Sequence, residues 1–274
     1  MGRSLNHALR SLPLWGYVVL LYGFIFLPVG VLVLFSFQDS RIPVPPFNGP
    51  SLRWYEAVFS DARMMEALGN SVLVALVTSL VAVVLGFLAA YALARHRLPF
   101  SGVLQGFLTA PLTVSYLIIA MGLLITFNHL GVPKSLVTVG IGHVVINLPL
   151  CFAILYSQMG EHQANIERAA RDLGAREWQV LALVTVPLLW PAIFASFFLS
   201  VTFSWDEFII AFMVSRFDVT LPVEIWSMLR TGLNPKTNAV GSFAKAGATR
   251  AFIYLVGVVI VWFGPETKGR PLPE

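Results

Sequence analysis

The stretch Asn165-Ile166-Glu167-Arg168-Ala169-Ala170-Arg171-Asp172-Leu173-Gly174-Ala175, continuing to Val184-Thr185-Val186-Pro187-Leu188-Leu189, decides how the rest of the chain is read. It is a polar island of roughly 25 residues between two long apolar runs, and in so hydrophobic a chain it has to sit in water. Ile166, Ala169, Ala170 and Leu173 recur at the spacing of one helical face, while Glu167, Arg168, Arg171 and Asp172 fill the other. That pattern predicts a short amphipathic helix. Gly174 follows where a chain leaving a helix commonly takes the left-handed conformation, and 175–184 reads as a second helix up to Pro187. The island is therefore expected to be a helix, a sharp turn and a helix.

The surroundings set the class. Of 274 residues, 57% are hydrophobic and 12% charged, with a mean hydropathy of +0.78. Soluble domains carry about 25% charge, so this is the composition of a polytopic, all-α membrane protein with no room for a soluble catalytic domain. The net charge of +4 and pI near 9.4 come from basic residues scattered among loops, which reads as membrane topology and not as a nucleic-acid surface. The single cysteine, Cys151, lies inside an apolar run, so an internal disulfide and a cysteine metal site are excluded, and it reads as a small core residue. Walker motifs, zinc-ligand spacings and nucleophile elbows are missing from the sequence. The chain is expected to be no enzyme, to need no cofactor, and neither to bind nor to hydrolyse ATP.

Charge-free runs occupy 11–38, 67–94, 98–133, 135–160 and 178–205, and a weaker candidate closes the chain over 241–263. The first is too long for a signal-peptide core and has no A-x-A cleavage pattern, so it reads as an uncleaved span. Six spans are expected within a membrane domain covering 11–263. Arg95-His96-Arg97 and the segment 1–10 are basic without acids, which puts both in the cytoplasm, and six spans return the tail 264–274 to the same side. The island, about 160–187, falls there too. Pro43, Pro45, Pro46 and Pro50 predict a stiff outer strap before Trp54-Tyr55-Glu56-Ala57-Val58-Phe59, an amphipathic interfacial helix or a simple aromatic anchor.

Two sets of residues carry a family resemblance. Arg168-Ala169-Ala170, three residues, Gly174, nine residues and Val184-x-Val186-Pro187 resemble the E-A-A-x3-G-x9-I-x-L-P signature of permease subunits of ATP-binding cassette importers. Arg168 stands where the signature has glutamate, and Glu167 lies one place earlier, about 100° round the helix. The resemblance implies the type I importer permease fold with six spans and a cytoplasmic coupling helix docked on a separate ATPase subunit. Glu167, Arg168, Ala169, Ala170, Gly174 and Pro187 are then the coupling residues. An amphipathic helix lying on the membrane is the alternative reading of the island. The segments Trp54-Tyr55-Glu56-Ala57, Asn70-Ser71, Ser204-Trp205-Asp206-Glu207-Phe208 and Thr220–Arg230 are similar to spermidine/putrescine importer permeases, specifically the second of their two permeases. That likeness implies ATPase subunits, a second permease subunit, an extracytoplasmic solute-binding protein and a small cationic solute as partners.

Asp206 and Glu207 are candidates for the substrate path. At 1.5 Å per residue they lie about 28 Å beyond Pro187, near the outer edge of the hydrocarbon layer, where carboxylates need a wet cavity or a partner. They read either as an acidic mouth for a cation or as structural partners of Arg216 or Arg230. Trp205 and Asn147 complete the candidates. Small polar groups in spans more often bond a neighbouring helix, and His143, one turn before Asn147, reads as a satisfied core histidine. Near the end, Pro265-Glu266-Thr267-Lys268-Gly269-Arg270 resembles the ending of sugar porters of the major facilitator superfamily. With Asp206 and Glu207 it leaves an ion-gradient-driven secondary transporter or channel as the rival reading.

Overall fold

The computed structural model describes residues 2–40, 42, 45–96, 98–232 and 235–244. Its regular structure is helical apart from one isolated bridge between Gln38 and Pro50. In a bilayer this follows from the missing water: an apolar segment satisfies its backbone only by bonding to itself. The helices fall into two units, one of residues up to Met65 and from Ile225, the other of Glu66–Glu224.

The first unit opens with α1 (Gly2–Ser36), whose side chains at Val19, Leu20 and Phe24 face outward as a lipid-covered span requires. The strap that follows is held by Gln38, whose amide nitrogen donates to the Pro46 carbonyl at 2.9 Å, and whose own carbonyl accepts from the Trp54 indole at 2.8 Å. Of the prolines read as a strap, Pro43 lies outside the described residues. The expected interfacial helix is α2 (Arg53–Phe59). Its Tyr55 hydroxyl bonds Ser36 at the end of α1 and Ser242 in the later α13 (Pro235–Ser242), at 2.8 and 2.7 Å.

The second unit is built on α3 (Ala62–Arg95), most of which it contains. Next come α4 (Ser101–Thr109), a 3₁₀ turn at Ala110–Thr113, and α5 (Tyr116–His129). The run 98–133, expected as one span, is bent by 105° between α4 and α5. A single helix of that run would be about 54 Å long against a hydrocarbon layer of about 30 Å. Pro111 lacks an N–H and sits in the tight turn, and Val114 is extended, so the break falls there. A capping box starts α6 (Leu136–Gln158), in which the Ser135 N–H donates to the Thr138 hydroxyl at 2.9 Å.

The island follows as α7 (Glu161–Asp172) and α8 (Glu177–Val180), a π-helical turn at Leu181–Thr185, and α9 (Val186–Leu188). After a 67° bend at Leu189 the chain enters α10 (Trp190–Asp206). The helix thus runs past Pro187 and bends two residues later than the sequence suggests. A short α11 (Ile209–Val214) and α12 (Leu221–Thr231) lead back to the first unit.

Close packing of α3, α6 and α10 fixes the core. A Cβ on Gly86 of α3 would lie 2.9 Å from the Phe152 backbone nitrogen, and one on Gly142 of α6 would collide with Ile210. Ser196, Ser200 and Ser204 recur every fourth residue on α10 and are all buried, the small-residue stripe by which membrane helices approach closely. Among the described residues three helices are long and apolar enough to cross a membrane, at 16–36, 62–95 and 136–158, and the passes number up to five if each of the two bent pairs is one span. From residue 245 on, the expected sixth span and the tail 264–274 lie outside the described residues, as do Lys245 and Arg250.

Candidate functional site

The island closes as the sequence demands. The Gly174 N–H bonds the Arg171 carbonyl at 2.9 Å and the Ala175 N–H bonds the Ala170 carbonyl at 3.1 Å, the paired reverse bonds of a Schellman end to α7. Gly174 takes φ +90 there, a region that side chains avoid, although a Cβ would meet nothing within 4 Å.

Glu167 is the surprise of α7. The pattern places it on the solvated face, yet it is 0% exposed. Arg95, the last residue of α3, grips it with two bonds, Nε to Oε2 at 2.7 Å and Nη2 to Oε1 at 3.2 Å, and uses Nη1 to bond the Met159 carbonyl at the end of α6 at 3.1 Å. The Thr185 hydroxyl donates to Glu167 Oε1 at 3.0 Å. The wider π turn is what brings Thr185 inward; such turns concentrate at functional positions. One carboxylate therefore joins the end of α3, the island helix and the approach to α10, and through Arg95 the end of α6. The fork geometry suits arginine, whose flat guanidinium matches a carboxylate bond for bond.

The other island residues face the opposite way. Arg168 and Ala169 are exposed, Ala170 is half-buried, Leu173 is 88% exposed and Pro187 is exposed. The apolar stripe that looked like the inward face thus points partly out, because a fully paired carboxylate, not the stripe, sits against the bundle. Among the described residues Arg168 bonds only the Ala164 carbonyl of its own helix, at 3.3 Å. Arg171 reaches across the turn to Glu177, Nε to Oε1 at 2.8 Å and Nη2 to Oε2 at 3.1 Å, and that bond raises the Arg171 pKa above its usual value. Arg95 and Thr185 escaped the sequence reading. Arg95 read only as a topology signal and Thr185 fell in a variable position between Val184 and Val186, although a threonine beside that proline was the one available hint.

The four substrate-path candidates do not gather around one cavity. Asp206 is exposed, while Glu207 turns inward and caps α11, accepting the Ile210 N–H at 3.0 Å and the Ala211 N–H at 3.2 Å. His143 Nε2 stands 3.4 Å from Glu207 Oε2 but is not aligned as a hydrogen bond. Its Nδ1 contacts the Ser204 hydroxyl at 2.7 Å, and Ser204 contacts Thr78 of α3 at 3.2 Å. His143 is thus buried with Nδ1 partnered and Nε2 without a partner among the described residues, where the sequence suggests a fully satisfied core histidine. Trp205 and Asn147 are buried, and the Asn147 Nδ2 is unpartnered among the described residues. A cavity of about 480 Å³ between α3 and α6 is lined by Leu73, Val77, Val137 and Ile141 among others, and suits hydrocarbon better than a cation. Asn70 and Ser71 hold the loop before α12, bonding the Val219 carbonyl at 3.1 Å and the Leu221 N–H at 2.7 Å.

Tightly packed apolar passes with one polar helix pair fastened at their ends define a multi-pass membrane protein of the permease class. Comparison with known proteins gives the family: residues 82–267 match the binding-protein-dependent transport system inner membrane component. The chain is 34% identical to the putrescine transport system permease protein PotI of Escherichia coli (strain K12) over 261 residues, covering 91% of this chain and 90% of that one. It is 28% identical to the spermidine/putrescine transport system permease protein PotC of the same organism over 229 residues, covering 83% and 86%. Among solved structures, a chain of the bacterial alginate ABC transporter in complex with alginate pentasaccharide-bound periplasmic protein superposes with a TM-score of 0.66 at 14% identity, covering 94% of each chain. The chain belongs to the binding-protein-dependent transport inner membrane component family. The match runs through Pro265-Glu266-Thr267, part of the porter-like ending, and these relatives give the ion-gradient alternative no support.

Proposed function

We propose that this chain is one of two permease subunits of an ATP-driven importer for a small organic cation of the polyamine class, such as putrescine or spermidine. It crosses the inner membrane six times with both ends in the cytoplasm. A separate ATPase subunit grips α7, a solute-binding protein delivers the cation from outside, and the spans open alternately to either side. The polyamine assignment is supported by the names of PotI and PotC, and the orientation by the basic loop at Arg95-His96-Arg97.

The observation that carries the coupling role is the burial of Glu167 between Arg95 and Thr185. A helix fastened only by apolar contacts could slide under load. One pinned by a buried forked ion pair moves with the spans it is pinned to. Arg168, Ala169 and Leu173, facing away, are left for the ATPase subunit; Ala170 permits close approach, Gly174 sets the turn and Pro187 precedes the bend into α10. Asp206 faces the path for the cation, while Glu207, Trp205 and Asn147 shape its wall from within.

Uptake into vesicles holding the complete set of subunits tests this. Putrescine or spermidine uptake should require ATP and persist when the proton gradient is collapsed. Uptake that ignores ATP and stops with the gradient rejects the reading.

A further inference from the structure

The helix α10 carries two rows of side chains at four-residue spacing. One is the stripe Ser196, Ser200 and Ser204, buried on the side of α6, where the Cys151 thiol meets the Ser196 carbonyl at 3.8 Å and His143 meets Ser204. The other is Trp190, Phe194, Phe198, Thr202 and Asp206. Phe194, Phe198 and Thr202 each stand two residues before a serine of the stripe, about 200° round the helix, so packing onto α6 does not use this second row. Trp190 and Asp206 are exposed, the three residues between them are half-buried, and the small Ala195 beside them is exposed. The Trp190 and Phe194 rings meet edge to face at 4.6 Å, the Phe194 and Phe198 rings lie nearly parallel at 5.9 Å, and the Thr202 hydroxyl donates to the Phe198 carbonyl at 2.9 Å. Three rings, a hydroxyl and a carboxylate thus follow one another for about 24 Å along a single helix.

Contact with lipid does not account for this order. Aromatic belts gather at the two edges of the hydrocarbon layer, whereas Phe198 lies about 12 Å along the axis from Trp190, halfway to Asp206. An exposed carboxylate ending the row is costly against hydrocarbon and calls for a wet path or a cation. The faces of aromatic rings are negative and draw organic ammonium groups, the more strongly where water is scarce. An acid followed by rings therefore attracts an ammonium ion at each step without a second buried charge to hold it fast, and a path has to bind weakly at several places if its cargo is to leave.

We propose that Trp190, Phe194, Phe198, Thr202 and Asp206 form the binding row along which an organic cation crosses. Asp206 takes an ammonium group at the outer end, the Thr202 hydroxyl oxygen accepts from it, and Phe198, Phe194 and Trp190 pass it inward over their ring faces. The methylene chain between the ammonium groups of a diamine meets the same rings as apolar surface, so the row fits both parts of such a solute. This inference rests on the polyamine reading given above and adds to it the residues that hold the cation between the mouth and the cytoplasmic end.

The test is putrescine uptake by the complete transporter in ATP-loaded proteoliposomes, with Phe194 or Phe198 replaced by phenylalanine carrying one, two or three ring fluorines. Fluorine drains the negative ring face while the ring keeps nearly its size, so kcat/KM should fall step by step, by about two- to fivefold per ring at three fluorines, the range of a single cation–π contact. Phe198→Tyr should retain uptake and Phe198→Leu should lose it by a similar factor. Absence of putrescine uptake by the unsubstituted transporter would reject the polyamine reading and the row with it. Normal uptake there, unmoved by fluorination at either position, overturns the row alone. So does loss of the second permease subunit from the purified complex on Phe198→Leu with fluorination silent, which would assign the rings to a subunit contact.

Discussion

Replacing Glu167 by alanine is the sharpest trial of the lever. The substitution removes three bonds to one carboxylate and leaves the Arg95 guanidinium, 10% exposed, with only the Met159 carbonyl among the described residues. Breaking a buried pair from one side costs about 3–5 kcal/mol, because the surviving charge stays buried without its partner. At the lower figure, local opening of α7 becomes roughly 150-fold more frequent, since each 1.36 kcal/mol is tenfold. Glu177→Ala is the matched control. It removes the Arg171 pair, but Glu177 is 72% exposed and water already screens that pair, so its loss should be felt far less. Hydrogen exchange of the α7 amides in the purified transporter reads both. In vesicles the alanine variant should keep hydrolysing ATP while uptake falls, because the ATPase would move a helix no longer pinned to the spans. Arg95→Ala with Glu167→Ala should cost less than the two single changes added, since no orphan charge remains. The reasoning fails if Glu167→Ala raises α7 exchange no more than Glu177→Ala, or if the two single effects simply add.

Gly174→Ala should cost about 1–2 kcal/mol through its backbone alone, Gly174→Asn less, and the order of uptake should be Gly, Asn, Ala; equal losses would point to a contact instead of the φ +90 turn. Asp206→Asn should weaken uptake of a divalent cation more than of a neutral solute, whereas Glu207→Gln should lower the thermal stability of the protein by removing charge from the α11 cap, about 1 kcal/mol; equal effects of Asp206→Asn on both solutes would demote it to a structural role. The Lys236 ammonium beside Asp61 holds that carboxyl below its ordinary value of 3.8, helped by the Met64 and Arg63 N–H groups and opposed by burial. A depressed carboxyl stabilises the fold above its unfolded value and loses that contribution as pH falls through the folded value, so unfolding scans from pH 6 to about 3 should show an acid loss of at most roughly 1 kcal/mol that Asp61→Asn lacks. An identical acid slope in the variant would remove Asp61 from the account.

What could be read in the sequence followed from rules that a bilayer makes strict. Charge-free runs gave the apolar passes because unpaired charge is expelled from hydrocarbon, and the Gly174 turn was legible because few residues take its backbone. Helical periodicity misplaced Glu167, since a period counts apolar positions and cannot see that Arg95, 72 residues earlier, supplies a partner that makes burial tolerable. For the same reason Asp206 and Glu207 looked alike while the structure sends one outward and the other onto α11. The break after Pro111 was visible as a proline, yet prolines are common within membrane helices, and Pro149 lies inside α6 without ending it.

The buried polar contacts of the second unit bear on how a pull at α7 could be felt at the far end of the bundle. Glu167 and Thr185 bind the island to the approach to α10. Eleven residues past Thr185 begins the stripe Ser196, Ser200 and Ser204, and Ser204 meets both His143 of α6 and Thr78 of α3. One turn further Glu207 holds α11 by its N-terminal amides. Between these fixed points α10 faces α6 through small side chains, which resist separation because the backbones are already close, yet interlock less deeply than large ones would. Such a helix is stiffer along its axis than across it, and under the proposed coupling the 67° bend at Leu189 would turn a sideways push on the island into a push along α10. The position of the bend, two residues beyond Pro187 and outside the π turn that holds Thr185, keeps the pinned segment intact while the direction changes. Under the proposed coupling, a clamp at Glu167 would have to precede the point where the direction changes, and the chain places the Glu167 contacts before the bend at Leu189 and the straight α10 after it.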